Sequence, residues 1–312
     1  MTTQSASLSN LKPDLKQTRA AQWSAFLSIG RYVLLSLLGL VFLFPIVFML
    51  VSSLKPNFQL LQDSSSLRAF LPVGDLSFNN YREAFTRVPT ARFIGNSVLV
   101  TVITVLLGLL INSLAGFSLA CMRWKGRGPV LALVIATLII PFDAIAIPLL
   151  LIVSKLPWIG LDGVHWGWLN TYHVQIVPFI AGAFSIFLFV QFFKSLPPEL
   201  IEAALIDGAS WFQIYARVVS PISGPVFATV TILTFLSKWN DYFWPTMVIQ
   251  IEELRPIMVG LQYFFQLNVA WGEIMAYLSV ITIPVLIIFL LLQRALLRVL
   301  PRLASKDDRM TG

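Results

Sequence analysis

The sequence is short of almost everything soluble enzymes use. Among 312 residues there is one cysteine, Cys121, so neither an intrachain disulfide nor a thiolate metal cluster can form, which excludes a stapled secreted scaffold and a zinc module. The two histidines, His165 and His173, stand at no metal-ligand spacing and read as solvated loop residues. There is no Gly-x-x-x-x-Gly-Lys-[Ser/Thr] phosphate loop, so ATP is not expected to bind to this chain. A His-Glu-x-x-His helix, a Gly-x-Ser-x-Gly elbow and a Cys-His pair are missing too, so enzymatic activity is not expected of this chain. Charge is scarce: Asp, Glu, Lys and Arg make up 12% of the residues, about half the share of a soluble domain.

Apolar residues fill the space. They amount to 57% of the chain, with 24 Phe and 9 Trp, more than one aqueous core of this size can hide, so lipid must cover part of the surface. The net charge of +7 comes from Lys and Arg dispersed at the ends of apolar runs rather than gathered on one face, which argues against nucleic acid as a partner.

A spanning helix needs about 20 apolar residues to cross about 30 Å of hydrocarbon. Six runs meet this, at about 32–54, 93–122, 129–154, 174–193, 218–249 and 274–297, and the first lacks a small-residue cleavage site, so it reads as an uncleaved span. With six spans both termini share one side, and that side carries 14 Lys and Arg against seven opposite, which places the termini in the cytoplasm. The expected fold is therefore an all-α polytopic membrane protein of six transmembrane helices over 31–300. A polar, flexible cytoplasmic segment at 1–30 and a short cytoplasmic tail at 301–312 flank it. Gly and Pro within the runs, among them Pro45, Gly108, Pro141, Pro148, Gly182, Pro221, Pro225 and Pro284, predict kinks.

Between the fourth and fifth spans the segment 197–217 is unlike a plain connector. Pro198 suits a first helical position, and Glu199 and Glu202 favour a positive helix N-terminus. Asp207-Gly208 should end that helix, and Ser210 should cap a second one carrying Trp211, Phe212 and Ile214. Two short helices with an apolar surface and few charges fit either a groove in another protein or the headgroup layer of the membrane.

Resemblance decides between them. Glu202-Ala203-Ala204, three residues, Gly208, nine residues and Val218-Val219-Ser220-Pro221 resemble the EAA loop of permease subunits of binding-protein-dependent ABC importers, departing at Val218 and Ser220. Ser52-Ser53-Leu54-Lys55-Pro56, Asn80-Tyr81 with Phe85, Asn96-Ser97, the run from Cys121 to Arg127, and Trp239-Asn240-Asp241-Tyr242-Phe243-Trp244-Pro245 are similar to marks of the maltose-type carbohydrate permeases. Residues 1–30 and the tail beyond Arg294, which has no Gly-rich ending, match poorly. The resemblance implies a type I importer permease fold. It also implies a second homologous permease subunit, two ATP-binding subunits that hold ATP and Mg, and an extracytoplasmic solute-binding protein that delivers a sugar. Glu202, Ala203, Ala204, Asp207, Gly208, Ala209 and Trp211 would then form the coupling element that docks on the ATPase.

Three ionisable residues lie inside the spans, Asp143, Lys238 and Asp241, and each is costly there unless paired or facing water. Lys238 and Asp241, three residues apart on a helix, can pair with each other or line the translocation path. Asp143 is expected to face the path, with an interhelical hydrogen bond as the rival. Sugars are bound by aromatic faces together with amide and carboxylate groups, and Trp239, Asn240, Asp241 and Tyr242 supply that mixture. Trp244, Trp158, Trp166 and Trp168 read instead as an interfacial aromatic belt. A stand-alone secondary transporter or channel is the competing function, although no internal repeat supports it.

Overall fold

The computed structural model describes residues 15–160, 163–266 and 269–297, with side chains placed from 27 to 293 within those limits. The helices are α1 (Leu15–Ser53), α2 (Asn57–Asp63), α3 (Asn79–Arg87), α4 (Thr90–Cys121), α5 (Arg127–Thr137), α6 (Phe142–Val153), α7 (Tyr172–Ile176) and α8 (Ala183–Lys194). They continue with α9 (Pro198–Ile206), α10 (Trp211–Ile214), α11 (Ser220–Ile222), α12 (Gly224–Trp239), α13 (Phe243–Val248), α14 (Ile257–Gly260) and α15 (Trp271–Leu297).

Four stretches are long and apolar enough to cross a membrane, Leu27–Ser53, Thr90–Cys121, Tyr172–Lys194 and Trp271–Gln293. The other two expected spans are broken. The run at 129–154 is not one helix: α5 and α6 meet at 102°. Pro141 takes an extended ψ of 143° and caps α6, so the chain leaves the α region where the proline ring and its missing N–H forbid continuation. Pro148, by contrast, is accommodated within α6.

The fifth run is also bent, by 81° at Ser223 between Trp211–Ile222 and α12. It ends at Trp239 rather than 249, and the loop 240–242 and α13 complete it.

One further difference concerns the N-terminal segment. α1 starts at Leu15, so residues 15–30 continue the first helix rather than forming an irregular lead-in; 1–14 and the tail at 301–312 lie outside the described residues. The chain is mostly helical, as expected, and its loop after α6 carries a short hairpin, β1 (Pro157–Gly160) paired antiparallel with β2 (Gly163–Trp166). There Trp158 stacks on His165 with centroids 4.6 Å apart and meets His173 at 5.1 Å, so both imidazoles rest against one indole while His173 stays exposed and His165 half-buried.

α4 and α12 form the centre. One cluster gathers Phe93, Phe235, Trp239, Phe264 and Tyr277 against α14 and α15; a second, Phe117, Phe189, Phe193, Tyr215 and Val226, joins α4, α8 and the segment before α12. A Cβ on Gly116 would lie 2.5 Å from the Phe189 Cβ, so only glycine lets α4 and α8 approach this closely. From 27 to 50 no described side chain of α1 is buried, which leaves that face to lipid or to another subunit.

Several residues that carried the resemblance turn out to fasten helix ends. Asn80 Nδ2 donates to the carbonyls of Ser53 (2.8 Å) and Lys55 (2.7 Å), while Asn96 Nδ2 donates to those of Glu253 (2.8 Å) and Arg255 (2.9 Å). These carbonyls would otherwise end helices or loops unpaired, so the amides satisfy groups the backbone cannot.

Candidate coupling element and translocation path

The segment after α8 folds as its residues dictate. Pro198 opens α9 with Glu199 in its first turn, and the helix closes where Gly208 takes φ +77°, a left-handed turn that costs glycine nothing. Ala209 N–H then donates back to the Ala204 carbonyl at 3.0 Å. Ser210 caps α10 in a capping box: its backbone N–H donates to Gln213 Oε1 at 2.8 Å, and Gln213 N–H donates to Ser210 Oγ at 3.4 Å. A π-helical turn, Tyr215–Val219, leads into α11 and the bend at Ser223.

This element is rooted in the core on one side and bare on the other. Tyr215 shares a buried hydroxyl–hydroxyl hydrogen bond of 2.6 Å with Ser113 of α4, and Phe117 holds Trp211 and Tyr215 at centroid distances of 6.3 and 5.5 Å. Ile214 is fully buried. On the bare side Glu202, Ala203, Asp207 and Gly208 are exposed, and Ile206 and Phe212 are 86% and 71% exposed. Trp211 and Ile214, expected on the surface, are therefore the root, while Ile206 and Phe212 form the tip. The sequence shows those two apolar residues flanking Asp207-Gly208 but not which way they face. Beside the root, a cleft of about 490 Å³ opens between α9 and the ends of α4 and α8, with Arg123, Arg127, Lys194 and Glu202 in its walls.

The residues expected on the path separate into four groups, and Trp239 forms one by itself. Lys238 and Asp241 do pair, Nζ to Oδ2 at 2.6 Å, and the ammonium also lies 3.2 Å from the centre of the Phe179 ring. Asn240 and Tyr242 are exposed: Asn240 Nδ2 donates to the Leu236 carbonyl at 2.9 Å, and Tyr242 Oη donates to Gln262 Oε1 at 3.3 Å. Asp143 is exposed in the first turn of α6, and among the described residues its carboxylate has no hydrogen bond or ion pair, so the interhelical alternative finds no partner there.

Two tryptophans depart from expectation. Trp239 is 1% exposed, lies flat on Phe235 at 5.5 Å and donates its indole N–H to the Ile281 carbonyl at 3.0 Å, so in this structure it packs the core rather than an open surface. Trp244 is no belt residue either: it is fully buried against Val153, Val174 and Val248, and its indole N–H donates to the Val174 carbonyl at 2.8 Å.

With this geometry in hand, known proteins give the context. The arabinooligosaccharides transport system permease protein AraQ of Halalkalibacterium halodurans is 30% identical over 282 residues, 90% of this chain and 95% of that protein. The lactose transport system permease protein LacG of Rhizobium radiobacter is 30% identical over 267 residues, 85% of this chain and 92% of its own length. A crystal structure of a bacterial ABC transporter involved in the import of the acidic polysaccharide alginate has a chain that superposes with a TM-score of 0.73 at 26% identity, covering 86% of this chain and 96% of that one. These likenesses set aside the stand-alone transporter, and they make the chain a transport component rather than an enzyme. Residues 108–303, which include α9, α10 and the bend at Ser223, match the family model for the binding-protein-dependent transport system inner membrane component, and the chain belongs to that family.

Proposed function

We propose that this chain is one of two related permease subunits enclosing the route of a sugar importer, with its segment 197–217 docked on one of two cytoplasmic ATP-binding subunits. The observation that carries this reading is the coupling element itself, a rigid knob rooted by Ile214, Tyr215 and Trp211 and tipped by exposed Ile206 and Phe212. Burying such a tip in a partner's groove removes apolar surface from water and gives the partner a handle on α12. ATP and Mg belong to the partner ATPases, and this chain needs no cofactor of its own. An extracytoplasmic solute-binding protein would present the substrate at the far end, near Asn240 and Tyr242. The excess of Lys and Arg on the terminal side supports a plasma-membrane protein with both termini in the cytoplasm. Relatives named for arabino-oligosaccharides, lactose and sn-glycerol 3-phosphate support a sugar or polyol derivative as cargo.

In this mechanism closure of the ATPases pushes the knob, the bend at Ser223 carries the push into α12, and the Lys238–Asp241 end shifts against α4 and α7. Affinity purification of the full chain in mild detergent tests the reading. A second permease and an ATPase should co-purify, and Ile206→Asp with Phe212→Asp should release the ATPase while leaving the thermal midpoint of the chain unchanged. Transport by this chain alone under an ion gradient would overturn it.

A further inference from the structure

At the end of α12 remote from the coupling element, α4, α7 and the loop before α14 close around a small cavity. Its volume is about 10 Å³, and Ser97, Thr101, Gln175, Lys238, Asp241 and Pro256 stand in its walls. That is room for one water molecule and nothing larger. Two polar atoms of these walls, Thr101 Oγ1 and Gln175 Oε1, are buried with no hydrogen-bond partner among the described residues. The Gln175 amide has one orientation: its Nε2 donates to the Leu254 carbonyl at 3.2 Å, and because a carbonyl only accepts, the oxygen is left over. Ser97 Oγ is already engaged, accepting from Ile257 N–H at 2.8 Å. A buried acceptor and a buried hydroxyl without partners carry the full cost of losing water, which native interiors avoid.

We propose that this cavity is a water-binding site in which one molecule accepts from the Thr101 hydroxyl and the Lys238 ammonium and donates to Gln175 Oε1 and the Asp241 carboxylate. Four partners are what an internal water takes. They come from three separate elements, α4, α7 and the end of α12, so the water ties the broken stretch at 240–242 to its neighbours. On the importer reading, for which this function is an extension, that end must come apart to receive substrate, and the water node is the fastening that holds it shut.

Thr101→Val keeps the side-chain shape and removes only the hydroxyl, while Thr101→Ser keeps the hydroxyl. Hydrogen exchange on the full chain in detergent should show amides of 172–176 and 241–248 exchanging about five-fold faster in Thr101→Val, the loss of roughly one hydrogen bond, with Thr101→Ser close to wild type. Unchanged or slower exchange in Thr101→Val, the result for a dry cavity in which valine removes an unsatisfied hydroxyl, would overturn the water site. In the complex with its ATPases, Thr101→Val should raise ATP hydrolysis in the absence of the binding protein. Faster exchange with unchanged hydrolysis would overturn the fastening role. Failure of any ATPase to associate would count against the importer reading and leave the exchange result standing.

Discussion

Substitution of Gly208 isolates the conformational demand of the coupling element. The residue sits at φ +77°, and a Cβ built there has no neighbour within 4 Å, so a side chain meets open space and only the backbone is strained. An L-residue in the left-handed region costs about 1–2 kcal/mol, which reduces the population of the ordered turn about five- to thirty-fold. Asn tolerates that region better than Ala, and a β-branched residue worse. Proline is the extreme case, because its φ is fixed near −65° and it removes the N–H that Gly208 donates to the Leu205 carbonyl at 3.1 Å. In proteoliposomes with the ATPase and binding-protein partners, sugar uptake per ATP hydrolysed should therefore fall in the order Gly208→Asn, Gly208→Ala, Gly208→Val, Gly208→Pro. The thermal midpoint of the chain should hardly move, since the core lies elsewhere. A wild-type ratio in Gly208→Pro, or an Asn variant worse than the Ala variant, would refute the reasoning.

Other outcomes follow from the same structure. Asp241→Ala strands the Lys238 ammonium, whose side chain is 6% exposed, and should destabilise the chain by about 3–5 kcal/mol, whereas Lys238→Met with Asp241→Leu should recover most of that in a detergent melt. Gly116→Ala puts a methyl group 2.5 Å from the Phe189 Cβ and should lower stability by about 1–3 kcal/mol by forcing α4 and α8 apart. Burial works to raise the Asp63 carboxyl, but hydrogen bonds from Lys55 and Gln59 and the charges of Lys55 and Arg68 outweigh it and hold the group below the ordinary carboxylate range. Its contribution is therefore complete above the unfolded value, about pH 4, and is lost as pH falls through the lowered folded value. Hydrogen exchange across 57–73 should accelerate only in that acid window, and Asp63→Asn should flatten the dependence.

Much of this was legible from residue order because the interactions are local. The cap at Ser210, the turn at Gly208 and the Lys238–Asp241 pair all rest on residues a few positions apart, so spacing reveals them. The break between α5 and α6 was half legible: the prolines announced a bend, but their positions alone do not say that the chain turns at Pro141 and continues helical through Pro148. The burial of Trp239 and Trp244 was not legible, since the carbonyls of Ile281 and Val174 that receive their indole protons are 42 and 70 residues away. An aromatic with one polar atom suits a membrane interface and a core equally well until a distant acceptor is supplied.

By itself, then, the sequence determined the solvent this chain lives in, the number of its apolar runs and the two-helix form of its coupling element. Each of these follows from composition, from period or from contacts within a single helical turn. Only the tertiary structure decided which side of that element is root and which is tip, which tryptophans are buried, and that Thr101, Gln175, Lys238 and Asp241 share one small cavity. Those outcomes depend on contacts between residues far apart in the chain, where burial and hydrogen-bond satisfaction, rather than local propensity, select the arrangement.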